Sequence, residues 1–459
     1  MARRRRQDAG GRTGEDAPPV IRGVALLGAL LAAAPAGAAA PAPPPAGAAT
    51  GGASVRVVAP ARPYLRRRAV HLSDATRTPD DLAKPWLEWE RATGDWGGFR
   101  PALHERGAIV ELDYTGQLFS NVHGGLTTSD ATHAAGLLDL SLTLDTQRLG
   151  LWPGGTLFFL LEHQDGRGVS AEVGSVSSIG TLDEPETDFT HLGAWYAQQA
   201  FFEHRLVARL GKSDANQGFV DSDMIDLYLN GDFAPPGNIP MPTYPDPAFG
   251  FALFADPAEW VTLAGGAFGG DLDANEHGGA GLFAGRVFAI GEVTLHGRPF
   301  SLPGHLSAGT WLRSVDTPDP DAAAGGRDFE RDYGAYALLD QALTREAGGD
   351  GTQGLGAWFQ VSWAPDDRNL NDLWVGGGLV YTGPIPGRDA DVAGFAVASQ
   401  SLTQGGGGSD PPAELVFEWF YSVQIAPWLA LQPDIQYLVN PQENRRNAVV
   451  LGGQLAVSF

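Results

Sequence analysis

The sequence contains no cysteine and only two lysines, Lys84 and Lys212, among its 459 residues. The first absence excludes a disulfide framework, a thiol nucleophile and any cysteine-based metal site. Scarce lysine and a formal net charge of -23 argue against nucleic acid and against phosphate or other anionic solutes as partners. Beyond the N-terminus, no stretch is apolar for the ~20 residues that a helix needs to cross a bilayer. There is no His-Glu-x-x-His pair, no Gly-x-Ser-x-Gly elbow and no phosphate-binding glycine loop, so neither an enzyme nor a bound cofactor is expected. Glycine, by contrast, is abundant at 62 residues. That is more than soluble cores usually tolerate, and it suits barrel strands and their loops.

The N-terminus reads as a leader. Arg3 to Arg6 and Arg22 are basic, Val24 to Ala34 is a short apolar run, and Ala36-Gly37-Ala38 offers small residues for cleavage. Residues 1–38 are therefore expected to be a signal peptide. Residues 39–92 are expected to be a Pro/Ala-rich spacer with a short helix near Asp81 to Arg91, and Pro101 to Arg106 one or two further helical turns. The remainder, 93–459, reads as one barrel.

That reading rests on alternation. In Pro411 to Phe459, Leu415, Phe417, Trp419, Tyr421, Val423 and Ile425 share one face, opposite Glu414, Glu418, Ser422 and Gln424. Leu138, Leu140, Leu142 and Leu144 alternate with Asp139, Ser141, Thr143 and Asp145. A helix would scatter such residues around its circumference; a strand lines them up. Without apolar helices, a membrane protein must be a closed barrel. Sixteen strands are expected, at 109–119, 137–148, 155–164, 191–202, 205–213, 248–254, 259–268, 282–295, 304–315, 332–343, 354–364, 372–382, 391–400, 413–425, 428–439 and 448–459. Their connections alternate long and short, with 365–371 the exception. The expected fold is all-β: a single-chain, 16-stranded antiparallel transmembrane β-barrel with short periplasmic turns and long extracellular loops. Trp152, Trp260, Trp363 and Trp428 fall at strand ends, where aromatic girdles sit.

Thr93-Gly94-Asp95-Trp96-Gly97-Gly98-Phe99-Arg100, leading into Leu112-Asp113-Tyr114-Thr115-Gly116, resembles the leading segment of the carbohydrate-selective outer-membrane porins, the OprB family. Gly211 to Asn216, Val380 to Pro384 with Gly387 to Asp391, and Gln432 to Tyr437 with Asn440-Pro441 are similar too, so the likeness covers about residues 93–459. The resemblance implies an outer-membrane channel for passive diffusion of glucose and other mono- and small oligosaccharides. The terminal Phe459, after alternating apolar residues, is similar to the signal read by the outer-membrane assembly machinery. Expected partners are sugars, membrane lipid and that machinery; a homotrimer stays open.

Strand parity points a set of side chains into the lumen: Glu111, Asp113, Gln117, Asp139, Glu162, Arg209, Arg286, Glu292, Trp311, Arg313, Trp358, Gln360, Glu418, Gln432, Asp434 and Gln436. Acids, arginines and amides can replace water around sugar hydroxyls, and indole faces suit sugar C–H surfaces. A one-residue register slip would reverse every such assignment. Loop 214–247 is the longest, stiffened by Pro235, Pro236, Pro240, Pro242, Pro245 and Pro247. It is expected to fold into the barrel as the one constriction, carrying Asp221, Asp223, Asp226 and Tyr244. Asp221-x-Asp223-x-x-Asp226 and Asp271-x-Asp273-x-Asn275-Glu276 read as solvated acidic loops, and no metal is expected; calcium is the alternative for both. Two other functions fit the same residues: a general or cation-preferring porin, and a secreted all-β glycan-binding protein.

Overall fold

The computed structural model describes residues 84–183, 188–233, 235–270, 286–314, 317–318, 328–346, 353–402, 413–441 and 446–459. The leader, residues 39–83 of the spacer and the acidic run Asp271–Glu276 lie outside them.

Strands β1 (Ala108–His123), β2 (Thr132–Asp145), β3 (Gly155–Gly166), β4 (Phe189–Phe201), β5 (Leu206–Ser213), β6 (Ala248–Ala258), β7 (Val261–Gly269), β8 (Val287–Gly297) and β9 (Gly304–Ser314) follow one another around the wall. Two short strands, β10 (Thr317–Pro318) and β11 (Asp328–Phe329), pair only with each other. The wall resumes with β12 (Asp332–Ala342), β13 (Gly354–Trp363), β14 (Asn371–Thr382), β15 (Val392–Leu402), β16 (Glu414–Ala426), β17 (Leu429–Val439) and β18 (Ala448–Ser458). β18 pairs antiparallel with β1, which closes a barrel of sixteen strands. Closure leaves no open edge, so the wall's backbone groups are satisfied internally. Among the described residues, no helix is long and apolar enough to cross a membrane.

The wall is inside-out relative to a soluble protein. Leu112, Leu140, Leu161 and Leu192 stand side by side on β1 to β4, in register, on the outer face. Leu253, Leu295, Leu312, Leu379, Trp419, Leu431 and Ile435 continue that exposed apolar surface. Inside, Gln432, Gln454 and Gln117 are aligned across β17, β18 and β1, all buried. A continuous exposed belt of this kind is costly in water and favourable in lipid. Trp152, Trp260 and Phe300 lie exposed at the short-turn end, and Trp363, its ring 6.1 Å from Tyr333, at the other. Trp428 departs from the girdle expectation. It is buried beneath Trp86, ring centroids 4.4 Å apart.

Trp86 belongs to the segment before β1, which is tied to the seam of the barrel. The first expected helix is only a single 3-10 turn, Trp86–Glu88, while the second is a helix of about two turns at Phe99–Glu105, as expected. Arg91 pairs with Glu111 of β1 at 2.9 Å, and the Ala92 N–H donates to the Ser458 carbonyl at 2.9 Å. Arg100 donates to the Phe459 main-chain oxygen at 2.9 Å.

Glycine-rich β14 has a packing reason. Gly376 and Gly378 face the lumen, and a Cβ on either would meet the ring of Trp374 or Trp358. Gly394 of β15 is covered in the same way by Phe420. These glycines leave the wall bare so that large rings can lie flat against it.

Candidate functional site

Among the described residues, two loops cross the lumen, where the sequence suggested one. Loop 214–247 closes at its neck. The Asp214 carboxylate accepts from the Thr243 hydroxyl at 3.0 Å and the Tyr244 N–H at 3.3 Å, and the Ala215 N–H donates to the Pro242 carbonyl at 2.9 Å. From there the loop reaches across the barrel. The Val220 N–H donates to Glu292 of β8 at 2.9 Å, and the Ser222 hydroxyl to Asp340 of β12 at 2.7 Å. Asn238 and Ser362 of β13 bond each other twice, one contact being Asn238 Nδ2 to the Ser362 carbonyl at 3.2 Å. The Tyr228 hydroxyl reaches the carbonyls of Leu379 and Phe395, each at 3.0 Å. On the far wall, Glu418 of β16 accepts the Leu229 and Asn230 N–H groups at 2.7 and 2.9 Å. Gln432 donates to the Leu227 carbonyl at 2.9 Å.

Loop 167–188 enters beside it. Glu414 of β16 accepts from the Ser175 hydroxyl at 2.5 Å and the Val176 N–H at 3.2 Å. Gln117 donates to the Thr181 hydroxyl at 2.8 Å and accepts the Leu182 N–H at 3.2 Å. At the loop's outer end, Arg167, His133 and Glu172 form one cluster, with contacts of 2.7 to 3.0 Å. Burial alone would raise the Glu172 carboxyl, but hydrogen bonds from Arg167, from backbone and from His133 outweigh it and hold the group below the usual range.

Apolar packing explains why both loops stay in. Val169, Val173 and Ile179 of one loop and Ile225, Leu229 and Phe233 of the other share a buried cluster with Val416, Phe420, Leu438 and Val450 of the wall. Burying such side chains is worth about 1.5–3 kcal/mol each. The inner wall is therefore apolar where the loops dock and polar where their backbone needs acceptors.

The sequence-derived lumen residues divide into groups. Gln117, Asp139, Glu162, Arg209, Glu292, Trp311, Trp358, Gln360, Glu418, Gln432, Asp434 and Gln436 lie buried on the inner face. Arg313 is half-buried, its Nε donating to the Gly270 carbonyl at 2.8 Å. Glu111 and Asp113 are half-buried near the short-turn end of β1, where Arg91 holds the first and the Ser458 hydroxyl the second, at 2.6 Å. Arg286 stands one residue before β8 and is exposed, its carbonyl accepting the Gly270 N–H at 3.0 Å. Of the loop residues, Asp223 is exposed and Asp221 and Asp226 half-buried. Tyr244 sits at the loop's base, in a buried cluster with Leu137 and Leu182. The candidate set omitted Asp340, Ser362, Trp374, Gln400, Glu414 and Gln454, although all are buried in the wall with the polar groups above. Parity alone would have found them.

Beside the neck of loop 214–247, the inner face carries a second polar group. Arg209 of β5 lies between the rings of Tyr196 at 4.6 Å and Phe254 at 5.5 Å, and donates to the Gln217 carbonyl at 3.3 Å. Glu162 faces His191 at 3.0 Å, and the Lys212 ammonium donates to the Leu192 carbonyl at 3.1 Å. Trp311 stacks on Phe288 at 6.2 Å. Rings, amides, carboxylates and one guanidinium thus share one enclosed surface.

Comparison with known proteins agrees with this architecture. The family model for "Carbohydrate-selective porin, OprB family" matches residues 130–459. The chain is similar to Porin B of Pseudomonas aeruginosa, 23% identical over 424 residues, 80% of this chain and 90% of the relative. It is similar to the putative porin QuiX of Acinetobacter baylyi, 22% identical over 392 residues, 76% of this chain and 88% of that one. Its fold is that of a Pseudomonas putida OprB structure determined at high pH, with a TM-score of 0.74, 21% identity, and coverage of 82% of this chain and 100% of that chain.

Proposed function

The chain belongs to the carbohydrate-selective porin (OprB) family, and from that premise we propose how its lumen serves passive diffusion of mono- and small oligosaccharides across the outer membrane. The observation that carries the reading is the inner face itself. Gln117, Gln432 and Gln454 line one side, while Arg209, held between two rings, and Trp311 mark the other. A hydroxyl both donates and accepts, and so does an amide; carboxylates accept and guanidinium donates, so each replaces a water around the sugar. Indole and phenyl rings receive the C–H faces. No contact needs to be strong, since conduction requires release as well as entry.

Within this reading, Glu162, Trp311 and Gln360 meet the solute, and Arg209, Glu292, Glu418, Gln432 and Gln436 shape the passage by holding loops. The leucine-rich outer face contacts membrane lipid. The last strand, ending in Phe459, addresses the chain to the assembly machinery. The chemistry asked of these residues is binding and release, without catalysis.

A second reading, a cation-preferring pore, is favoured by the inner carboxylates Asp139, Glu162, Glu292, Asp340, Glu418 and Asp434, set against Arg209 and Lys212. Swelling of proteoliposomes in isosmotic solutions separates the two. The sugar reading predicts swelling rates that fall steeply from glucose to larger oligosaccharides. Equal rates for sugars and size-matched uncharged polyols, with a large cation-over-anion permeability ratio, would select the cation pore.

A further inference from the structure

We propose that Glu414, Glu418 and Gln436 are positioning residues that set the size limit of the passage by holding the two inserted loops as one body. The proposal rests on the porin reading given above and deepens it. Glu414 and Glu418 stand four residues apart on the inner face of β16, about 13 Å along a strand. Each carboxylate receives a different loop: Glu414 takes the Ser175 hydroxyl and Val176 N–H, Glu418 the Leu229 and Asn230 N–H groups.

Gln436, opposite Glu418 on β17, serves both loops at once. Its Oε1 accepts from the Asn230 side chain at 2.8 Å, and its Nε2 donates to the Ile179 carbonyl at 2.9 Å. The loops also touch directly, with the Gly231 N–H donating to the Ser178 carbonyl at 2.8 Å. Beneath these bonds, Ile179 and Leu229 share the same apolar cluster. Releasing Leu229 and Asn230 from Glu418 therefore disturbs the side chain that secures Ile179. Freed backbone donors in so dry a place are costly, so a partly released arrangement is disfavoured against one fully docked or fully withdrawn.

The test uses the full chain purified in detergent, with folding checked by the heat-dependent shift in gel mobility typical of closed barrels. Glu414→Leu, Glu418→Leu and the double variant are compared by single-channel conductance, by the largest oligosaccharide admitted to proteoliposomes, and by mapping protease cuts in each loop. One body predicts that either substitution exposes both loops to cleavage and admits the same larger sugars. The double variant then conducts less than about 1.5-fold above the single ones, where independent loops would multiply their effects. Cuts confined to the loop that lost its anchor, with multiplying conductances, would overturn it.

Should the leucine variants not fold, a tether gives the same decision. A Cβ on Gly231 would lie 3.0 Å from the Ser178 Cβ, slightly inside the ~3.8 Å of a disulfide. The chain has no other cysteine. In Ser178→Cys with Gly231→Cys, oxidation and reduction should leave conductance and size limit equal if the loops already move together. A marked change on reduction would contradict that. Cleavage and ion conductance report on the loops even if no sugar passes, so failure of the sugar reading is separable from failure of the coupling.

Discussion

The described residues of loops 167–188 and 214–247 lie inside the barrel, yet only loop 214–247 carries a sequence pattern that suggests it. Its prolines mark it as stiff. Loop 167–188 has a single proline, Pro185, against six, but it too buries Val169, Val173, Ile179 and Leu182 and delivers N–H groups to Glu414 and Gln117. What brings a loop in is therefore not stiffness. It is a match between apolar side chains on the loop, an apolar patch on the wall, and wall acceptors placed where the loop backbone needs them.

The difference between the loops can be pressed experimentally. Phe233 is fully buried at the meeting point of loop 214–247 and Trp358. Phe233→Ala should weaken docking by about 3–5 kcal/mol and give frequent large openings in single-channel records. Ile179→Ala, the counterpart in loop 167–188, should cost about 2–5 kcal/mol and give openings of the same amplitude. Openings of a different amplitude would mean that each loop narrows its own part of the passage. Gly378→Val places a side chain against Trp358 and Tyr228 and should cost about 1–3 kcal/mol, read as a red shift of tryptophan emission as that packing loosens. Tyr228→Phe removes one hydroxyl that serves two carbonyls and should cost about 1 kcal/mol, visible as faster hydrogen exchange in β14 and β15.

The smallest effect is a control outside both loops. Burial raises the Asp391 carboxyl, but bonds from Arg388, Tyr421 and the Gln424 N–H outweigh it and leave the group below the ordinary aspartate value. A depressed folded value contributes stability that is complete above the unfolded value and lost as pH falls through the folded one. Asp391→Asn should flatten that acid-side loss of melting temperature while leaving conductance at neutral pH unchanged.

Much of the wall was legible because period-two alternation is local. Leu138 to Asp145 announced β2 and its faces without reference to any other strand, and the last three strands did the same. β7 and β14 were weak on propensity because their glycines also answer to rings from other elements, such as Phe219 at Gly266 and Trp358 at Gly378, that the local pattern does not place. Trp428 has the strand-end position of a girdle residue, yet Trp86, over three hundred positions earlier in the chain, covers it. The anchors Glu414 and Glu418 were visible as polar inner-face residues. Their partners Val176, Leu229 and Asn230 were not, because they donate through backbone, and backbone carries no sequence signature.

Planar-bilayer current under sugar titration tests the sugar-selective passage most directly. The expected result is a conducting channel that glucose and larger oligosaccharides block in a concentration-dependent way, with phosphate leaving the current unchanged. A channel that conducts steadily through the same titration, or that phosphate blocks instead, would contradict it.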